Sequence, residues 1–187
     1  ASSEDPISGG RHKVLGSKAL NVPPQTRTIA NHLPKAVGTA FSIDRAKDLD
    51  IPERKLKGDS IVLCSFGDAS ANHASALSAI NTASWVSNCG GHVPIIFICE
   101  DNGTGISVPT HENWIEQNFS NRPRLDYVQT NGLHLIDLII KSRQVSRDCR
   151  INRSPIFLHM KTVRLMGHAG SDVELGYKSL VDIEETE

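Results

Sequence analysis

Ile61-Val62-Leu63-Cys64-Ser65, followed at once by Phe66-Gly67-Asp68-Ala69-Ser70, is an apolar run that ends in a turn carrying a carboxylate. A second run, Val93-Pro94-Ile95-Ile96-Phe97-Ile98-Cys99, ends in the same manner in Glu100-Asp101-Asn102-Gly103. Short apolar runs closed by Gly, Asp and Asn read as buried strands. The segment between them, 71–87, is rich in small residues, and Ala74, Leu77, Ile80, Ala83 and Trp85 are expected to pack it on a sheet as a helix. The unit therefore reads strand, helix, strand. A parallel crossover of this kind brings both strand ends to one edge of the sheet. Asp68 and Asn102, 34 positions apart, then deliver one carboxylate and one carboxamide oxygen to a shared crevice.

The flanking segments continue the alternation. Residues 1–28 carry Gly, Pro and Ser with little periodicity and read as a loop or arm, and Pro23-Pro24 excludes a helix there. Pro34 opens a helix whose Ala36, Val37, Ala40, Phe41 and Ala46 recur at helical spacing. Residues 47–58 form a charged surface connection. Downstream come a short helix over 112–119, a third strand over 125–129 and a long helix over 133–150 with Leu135, Leu138, Ile139 and Val145 inward. A fourth strand over 155–162 leads into a loop at 164–172. The basic residues Lys141, Arg143, Arg147, Arg150 and Arg153 read as a solvated helix face. Alternating strands and helices predict an α/β fold: a parallel β-sheet with helices on both faces, a Rossmann-like three-layer sandwich.

The chemistry of the two strand ends suits a metal-bound anion. Mg²⁺ takes about six oxygens and tends to use only one or two carboxylates, the rest coming from phosphates and water. One Asp, one Asn oxygen and a nearby main-chain carbonyl meet that demand. Gly67, Gly103 and Gly105 let the backbone approach a bulky anion, and a helix starting near Ala71 would aim free N–H groups at it. Taken singly, each turn is equally an ordinary strand-to-helix connection, where Gly, Asp and Asn are common. Their placement at both ends of one crossover favours a ligand site.

Composition narrows the partners. A formal net charge of −1 argues against a nucleic-acid surface or a polybasic membrane anchor. No apolar run reaches the ~18 residues of a membrane-crossing helix, and the polar first thirty residues do not read as a signal peptide. Cys64, Cys89, Cys99 and Cys149 lack metal spacing, and two lie in predicted buried strands. They are expected to be free thiols in a reducing, cytoplasmic compartment. The 187 residues fit one domain. No Gly-x-Gly-x-x-Gly follows a strand, which disfavours a nicotinamide-binding fold.

At the two turns the chain resembles thiamine-diphosphate enzymes, whose fingerprint is Gly-Asp-Gly, a helix, and a strand ending in Asn-Asn. The closest resemblance is to the alpha subunit of the decarboxylating component of 2-oxo acid dehydrogenases. There the second stretch reads Asn-Asn-Gly-Tyr-Ala-Ile-Ser-Thr-Pro-Thr, and Asp101-Asn102-Gly103-Thr104-Gly105-Ile106-Ser107-Val108-Pro109-Thr110 runs beside it without a gap. His32-Leu33-Pro34-Lys35-Ala36-Val37-Gly38 is similar to the family's Gln-Ile-Pro-Gln-Ala-Val-Gly. Arg164-Leu165-Met166-Gly167-His168-Ala169-Gly170-Ser171-Asp172 is similar to its Arg-x-x-Gly-His-Ser-x-Ser-Asp loop. The likeness spans residues 25–177, with three motifs in order.

The resemblance implies roles residue by residue. Asp68, Asn102 and the carbonyl of Thr104 would bind Mg²⁺. The backbone around Gly67, Ala69 and Ser70 would hold the diphosphate, and the backbone of Ile29 would lie beside the cofactor. His168 would touch the diphosphate and act catalytically; a solvated loop histidine is the alternative. His32 receives no catalytic role. Ala69 replaces the last glycine of Gly-Asp-Gly, which would strain a positive φ there. Asp101 replaces an Asn and makes the turn more acidic, and Ala169 replaces a serine phosphorylated in mitochondrial relatives. The implied activity is decarboxylation of a 2-oxo acid, branched-chain slightly favoured over pyruvate, with acyl transfer to lipoamide. Residues 29–187 would be the diphosphate-binding domain of a longer polypeptide. It would need a beta-type pyrimidine-binding domain or subunit, a lipoyl domain and an oligomeric assembly. An acetoin-cleaving or transketolase-like enzyme, or a non-catalytic assembly module of the same fold, remains the alternative.

Overall fold

Strand β1 (Val62–Gly67) sits at one edge of a four-stranded sheet. The computed structural model describes residues 3–4, 9–10, 16–24 and 28–185. Strands β2 (Ile95–Asp101), β5 (Asp126–Asn131) and β6 (Ile156–Lys161) complete the sheet in the order β1-β2-β6-β5, every pair parallel. Between β2 and β5 the chain makes a small antiparallel hairpin, β3 (Thr104–Gly105) and β4 (Val108–Pro109), and then helix α3 (Trp114–Phe119). Helix α1 (His32–Asp48) precedes β1, α2 (Ala74–Asn88) links β1 to β2, and α4 (Leu135–Asn152) links β5 to β6. A short α5 (Leu180–Glu184) follows the last loop. The expected α/β architecture with a parallel sheet is present.

The two crossovers run inward from opposite edges of the sheet. Parallel crossovers share one hand, so opposite directions send α2 and α4 to opposite faces. One face buries Cys64, Phe66, Ile95, Phe97 and Phe157 under α1, α2 and α3. On the other face Ile96, Ile156 and Leu158 meet Val145 and Cys149 of α4. Leu63, on that second face of β1, stays 62 % exposed because α4 covers the other strands.

Several inward residues differ from the periodicity reading. In α2 the core side is Ala76, Ala79, Ile80 and Ala83, joined by Ser84 and Ser87, while Ala74 and Leu77 face outward and Trp85 is 65 % exposed. An alanine-rich helix offers little apolar contrast between its faces, so small residues that approach the sheet closely decide the packing. In α1, Val37 and Ala40 are buried but Phe41 is exposed; Leu33 and Ile43 complete the inward side. In α4 only Val145 of the expected residues is buried, and Leu135 and Ile139 lie exposed on its first turns. Arg153 is not part of a solvated face. Its guanidinium donates to both carboxylate oxygens of Asp44 (3.0 and 2.7 Å) and to the Ser60 carbonyl (2.9 Å). Within the arm, Ser17 and Val22 close a tight turn by an antiparallel bridge, and residues 1–2, 5–8, 11–15 and 25–27 lie outside the described residues. Cys64, Cys99 and Cys149 are buried free thiols; burial pushes the first and third up to about 12.

Candidate functional site

All four strands end at one edge, and Asp68 and Asp101 stand there on neighbouring strands. The register Gly67↔Glu100 continues into a hydrogen bond from the Asp68 N–H to the Glu100 carbonyl (3.2 Å). Asp68 is 3 % exposed. Its Oδ2 accepts a hydrogen bond from Thr110 Oγ1 at 2.5 Å, and Oδ1 has no hydrogen-bond partner among the described residues. The two residues are 42 positions apart, joined because the β3–β4 hairpin folds back over the end of β1.

The chain does not pass directly from β1 into a long helix. A 3-10 turn, Ala69–Asn72, intervenes, and α2 begins at Ala74 with His73 as its N-cap. The expected N-terminus near Ala71 is therefore displaced, and the free N–H groups at the strand end belong to the 3-10 turn. The His73 ring nitrogen Nδ1 accepts from the Ser75 N–H (3.1 Å), so that helix start is already satisfied.

Beyond β2, two consecutive side-chain caps shape the turn. Asp101 Oδ1 accepts from the Gly103 N–H (3.1 Å) and Asn102 Oδ1 from the Thr104 N–H (2.9 Å). An amide oxygen has two lone pairs, so Asn102 Oδ1 keeps one for a cation. The Thr110 N–H donates to the Gly103 carbonyl (2.9 Å), which makes Thr104 and Pro109 the non-hydrogen-bonded pair of the hairpin. The Thr104 carbonyl thus lies outside the hairpin ladder. Gly103 adopts φ +72°, and Ile106 at the hairpin tip adopts φ +58°, a strained conformation for a β-branched residue.

Ala69 is not strained. It lacks a positive φ, and its methyl group lies against Gly105, where an added Cβ would approach to 2.7 Å. Relative to the family pattern, glycine and alanine have exchanged places between these two positions. Asp101 does not leave the turn acidic. Its Oδ2 accepts from His159 Nε2 (2.7 Å) and Lys161 Nζ (2.6 Å). Burial alone would raise this carboxyl, but the hydrogen bonds from Lys161 and His159 outweigh it and hold the group below its ordinary value.

The sequence-derived residues do not all meet in one cavity. Asp68, Ala69, Asp101, Gly105 and Thr110 line a pocket of about 340 Å³ whose far wall includes Trp114. Trp114 Nε1–H donates to Asn72 Oδ1 (2.6 Å), tying α3 to the 3-10 turn. Ile29 and Ser70 line a different and larger cleft of about 860 Å³, together with His32 and Lys35 beside the open edge of β1. Asn102 and Thr104 belong to the turn and line neither space. His32 Nε2–H donates to the Ser65 carbonyl (2.8 Å), a contact that ties the start of α1 to β1. His168 is exposed. Its backbone N–H donates to Asp172 Oδ2 (2.6 Å), which also accepts from Tyr177 OH (2.7 Å). The structure does not bring the His168 side chain to the Asp68 pocket.

Thr110, His159 and Lys161 were not assigned roles from sequence. Thr110 stood within the matched stretch, but only the folded hairpin reveals its contact. His159 and Lys161 alternate on a strand, and nothing local marks them as partners of a residue 58 or 60 positions away.

The donor set fits a metal-bound diphosphate. A buried carboxylate keeps one oxygen free, a carboxamide oxygen and a main-chain carbonyl stand on the neighbouring turn, and a Cβ placed on Gly67 would meet only the Glu100 carbonyl, at 3.9 Å. Among the described residues no cluster of three or more His, Cys, Asp or Glu side chains suits a metal, so a site here relies on phosphate and water oxygens as well.

A crevice at the carboxyl edge of a parallel sheet, bordered by Asp68 of one turn and by Asp101 and Gly105 of the next, lies where open α/β domains bind their ligands. The family of the Dehydrogenase E1 component matches residues 1–187, and the chain belongs to that family. It is 28 % identical to the mitochondrial 2-oxoisovalerate dehydrogenase subunit alpha of Caenorhabditis elegans, over 96 % of this chain and 39 % of that protein. The Mus musculus counterpart is 25 % identical over 96 % of this chain and 38 % of its own length. The 2-oxoisovalerate dehydrogenase subunit alpha of Bacillus subtilis is 25 % identical over 99 % of this chain and 53 % of its own length. The chain therefore spans about half or less of these relatives.

Proposed function

We propose that this chain is the diphosphate- and Mg²⁺-holding part of a thiamine-diphosphate-dependent dehydrogenase that decarboxylates a branched-chain 2-oxo acid and passes the acyl group to lipoamide. The observation that carries the reading is Asp68: a buried carboxylate at the sheet's carboxyl edge, oriented by Thr110 through one oxygen and with no hydrogen-bond partner among the described residues at the other. Asp68 Oδ1, Asn102 Oδ1 and the Thr104 carbonyl would hold Mg²⁺. The backbone of Gly67, Ala69 and Ser70 would lie along the diphosphate, with the backbone of Ile29 beside the cofactor. When bound, thiamine diphosphate supplies a nucleophilic carbon and an electron sink for decarboxylation. Thr110 keeps Asp68 from turning away, and the paired caps of Asp101 and Asn102 fix the direction of the metal-facing oxygens. His168, carried on the loop after β6, would face the reacting carbon and exchange a proton at a ring nitrogen once that loop meets the cofactor.

The names of the relatives support 2-oxoisovalerate as substrate and an alpha-type role; a pyrimidine-binding beta-type partner would complete the site. The lipoyl domain of an acyltransferase would be the acyl acceptor, within an oligomer. The non-catalytic alternative rested on strain at Ala69, and that strain is absent. Calorimetric titration of thiamine diphosphate with and without Mg²⁺, on the enzyme assembled with its pyrimidine-binding partner, tests the reading; Mg²⁺-independent or absent binding rejects it. Product analysis with 2-oxoisovalerate, pyruvate and 2-oxoglutarate then decides the substrate, with 2-oxoisovalerate expected to turn over fastest.

A further inference from the structure

The turn that carries Asn102 and Thr104 is held from behind by a buried polar chain running across three strands. Tyr127 on β5 meets His159 on β6 through its hydroxyl and Nδ1 (2.5 Å), and His159 Nε2 meets Asp101 Oδ2 on β2 (2.7 Å). Lys161 reaches the same oxygen at 2.6 Å, and the Asp101 carbonyl accepts from the Thr162 N–H (2.8 Å). A ring protonated on Nε2 alone satisfies both of its contacts, with Tyr127 donating to Nδ1. His159 is 1 % exposed, and Tyr127 stacks on Phe157, so this end of the chain has little room to move.

All the free capacity of Asp101 is directed into the turn. With Oδ2 occupied by two donors, Oδ1 is left aimed at the Gly103 N–H. That contact sets the turn at Gly103, and the next cap, Asn102 Oδ1 to the Thr104 N–H, follows from it. The orientation of both the Asn102 carboxamide and the Thr104 carbonyl is thereby inherited from Asp101. An acid at this position would also repel a neighbouring diphosphate unless a cation answered it, and Lys161 answers it. Without His159, the carboxylate would follow Lys161 alone, whose side chain is 43 % exposed, toward solvent.

We propose that His159 and Lys161 are positioning residues that act through Asp101 to aim the Asn102 and Thr104 oxygens at the metal; this rests on the Mg²⁺ reading of that turn. Neither residue touches the metal or the substrate. Partners one step removed from a metal ligand are worth about 10- to 100-fold in metal affinity; His159 and Lys161 stand a step further back, behind Asp101, which makes the lower end of that range the effect to expect.

The test is Mg²⁺ titration by calorimetry at saturating thiamine diphosphate in the assembled enzyme, combined with hydrogen–deuterium exchange over residues 102–106 without metal. His159→Phe and Lys161→Met should each weaken Mg²⁺ binding by about 10-fold or more, speed exchange at Gly103, and leave kcat at saturating Mg²⁺ within about twofold. His159→Gln, whose amide N–H can replace Nε2–H, should stay within about threefold of the wild type. Unchanged Mg²⁺ affinity and unchanged Gly103 exchange in His159→Phe and Lys161→Met overturn the positioning role alone. A wild-type enzyme with no Mg²⁺-dependent cofactor binding overturns the site reading and this role together. If His159→Phe does not fold, the partly exposed Lys161→Met decides by the same criteria.

Discussion

Exchanging the alanine and glycine that meet between the two loops should reveal whether those loops are packed as one unit. A Cβ on Gly105 would stand 2.7 Å from the Ala69 Cβ, against about 3.5–4.0 Å for carbon atoms in comfortable contact. Relieving that clash requires a shift of about 1 Å in one loop, and overpacking of this kind costs about 1–3 kcal/mol. Gly105 lacks a positive φ, so alanine there also gains about 0.4–1 kcal/mol through the unfolded chain. Gly105→Ala alone should therefore destabilise by about 1–2 kcal/mol. Ala69→Gly alone should cost about 0.5–1 kcal/mol in backbone entropy. In the double variant the clash is gone and the two backbone effects oppose each other, leaving stability near the wild type. The expected coupling is the relieved clash itself, about 1–3 kcal/mol, within the range for residues in contact. Urea unfolding of the four proteins measures it. A Gly105→Ala variant as stable as the wild type, or one that Ala69→Gly fails to rescue, refutes the packing argument.

The junction of α1 with the end of α4 supplies a second prediction. Asp44 accepts both guanidinium contacts of Arg153 and lies 2.8 Å from His92. Burial would raise its carboxyl, but the Arg153 and His92 partners prevail and hold it low. A depressed folded-state value means the stabilisation is present above the ordinary carboxylate range near pH 4 and is lost as pH falls through the lower folded value. Arg153→Met should cost about 3 kcal/mol at pH 7 by leaving the buried Asp44 carboxylate with His92 as its one remaining side-chain partner among the described residues, and unfolding followed from pH 7 to pH 3 should show that cost shrinking. A pH-independent loss would contradict it. His168→Ala should weaken cofactor binding modestly and slow turnover of the assembled enzyme; unchanged turnover would make His168 a loop residue only.

The strand ends were legible because a buried parallel strand is a continuous apolar run, and its stop is marked by residues that cannot continue it. Gly67-Asp68 and Asp101-Asn102 were located on that basis, and the structure brings the two turns to one edge. What lay hidden were relations between distant segments. The alanine face of α2 has too little contrast to orient itself, so Ala76 and Ala79 turned inward where Ala74 and Leu77 were expected. Leu135 and Ile139 follow helical spacing but lie exposed on the first turns of α4, whose buried residues, Val145 and Cys149, come further along the helix. Ala69 looked strained because its glycine-like position was read without Gly105, and Asp101 looked unbalanced because His159 and Lys161 are remote in sequence. Each miss is a tertiary contact overriding a local pattern.

Mg²⁺-dependent thiamine diphosphate binding by Asp68→Ala, compared with wild type in the assembled enzyme, tests the central claim most directly. The account predicts that the variant folds, with an unfolding midpoint near the wild type, and shows no Mg²⁺-dependent binding. Binding with wild-type affinity and an intact Mg²⁺ requirement would contradict it.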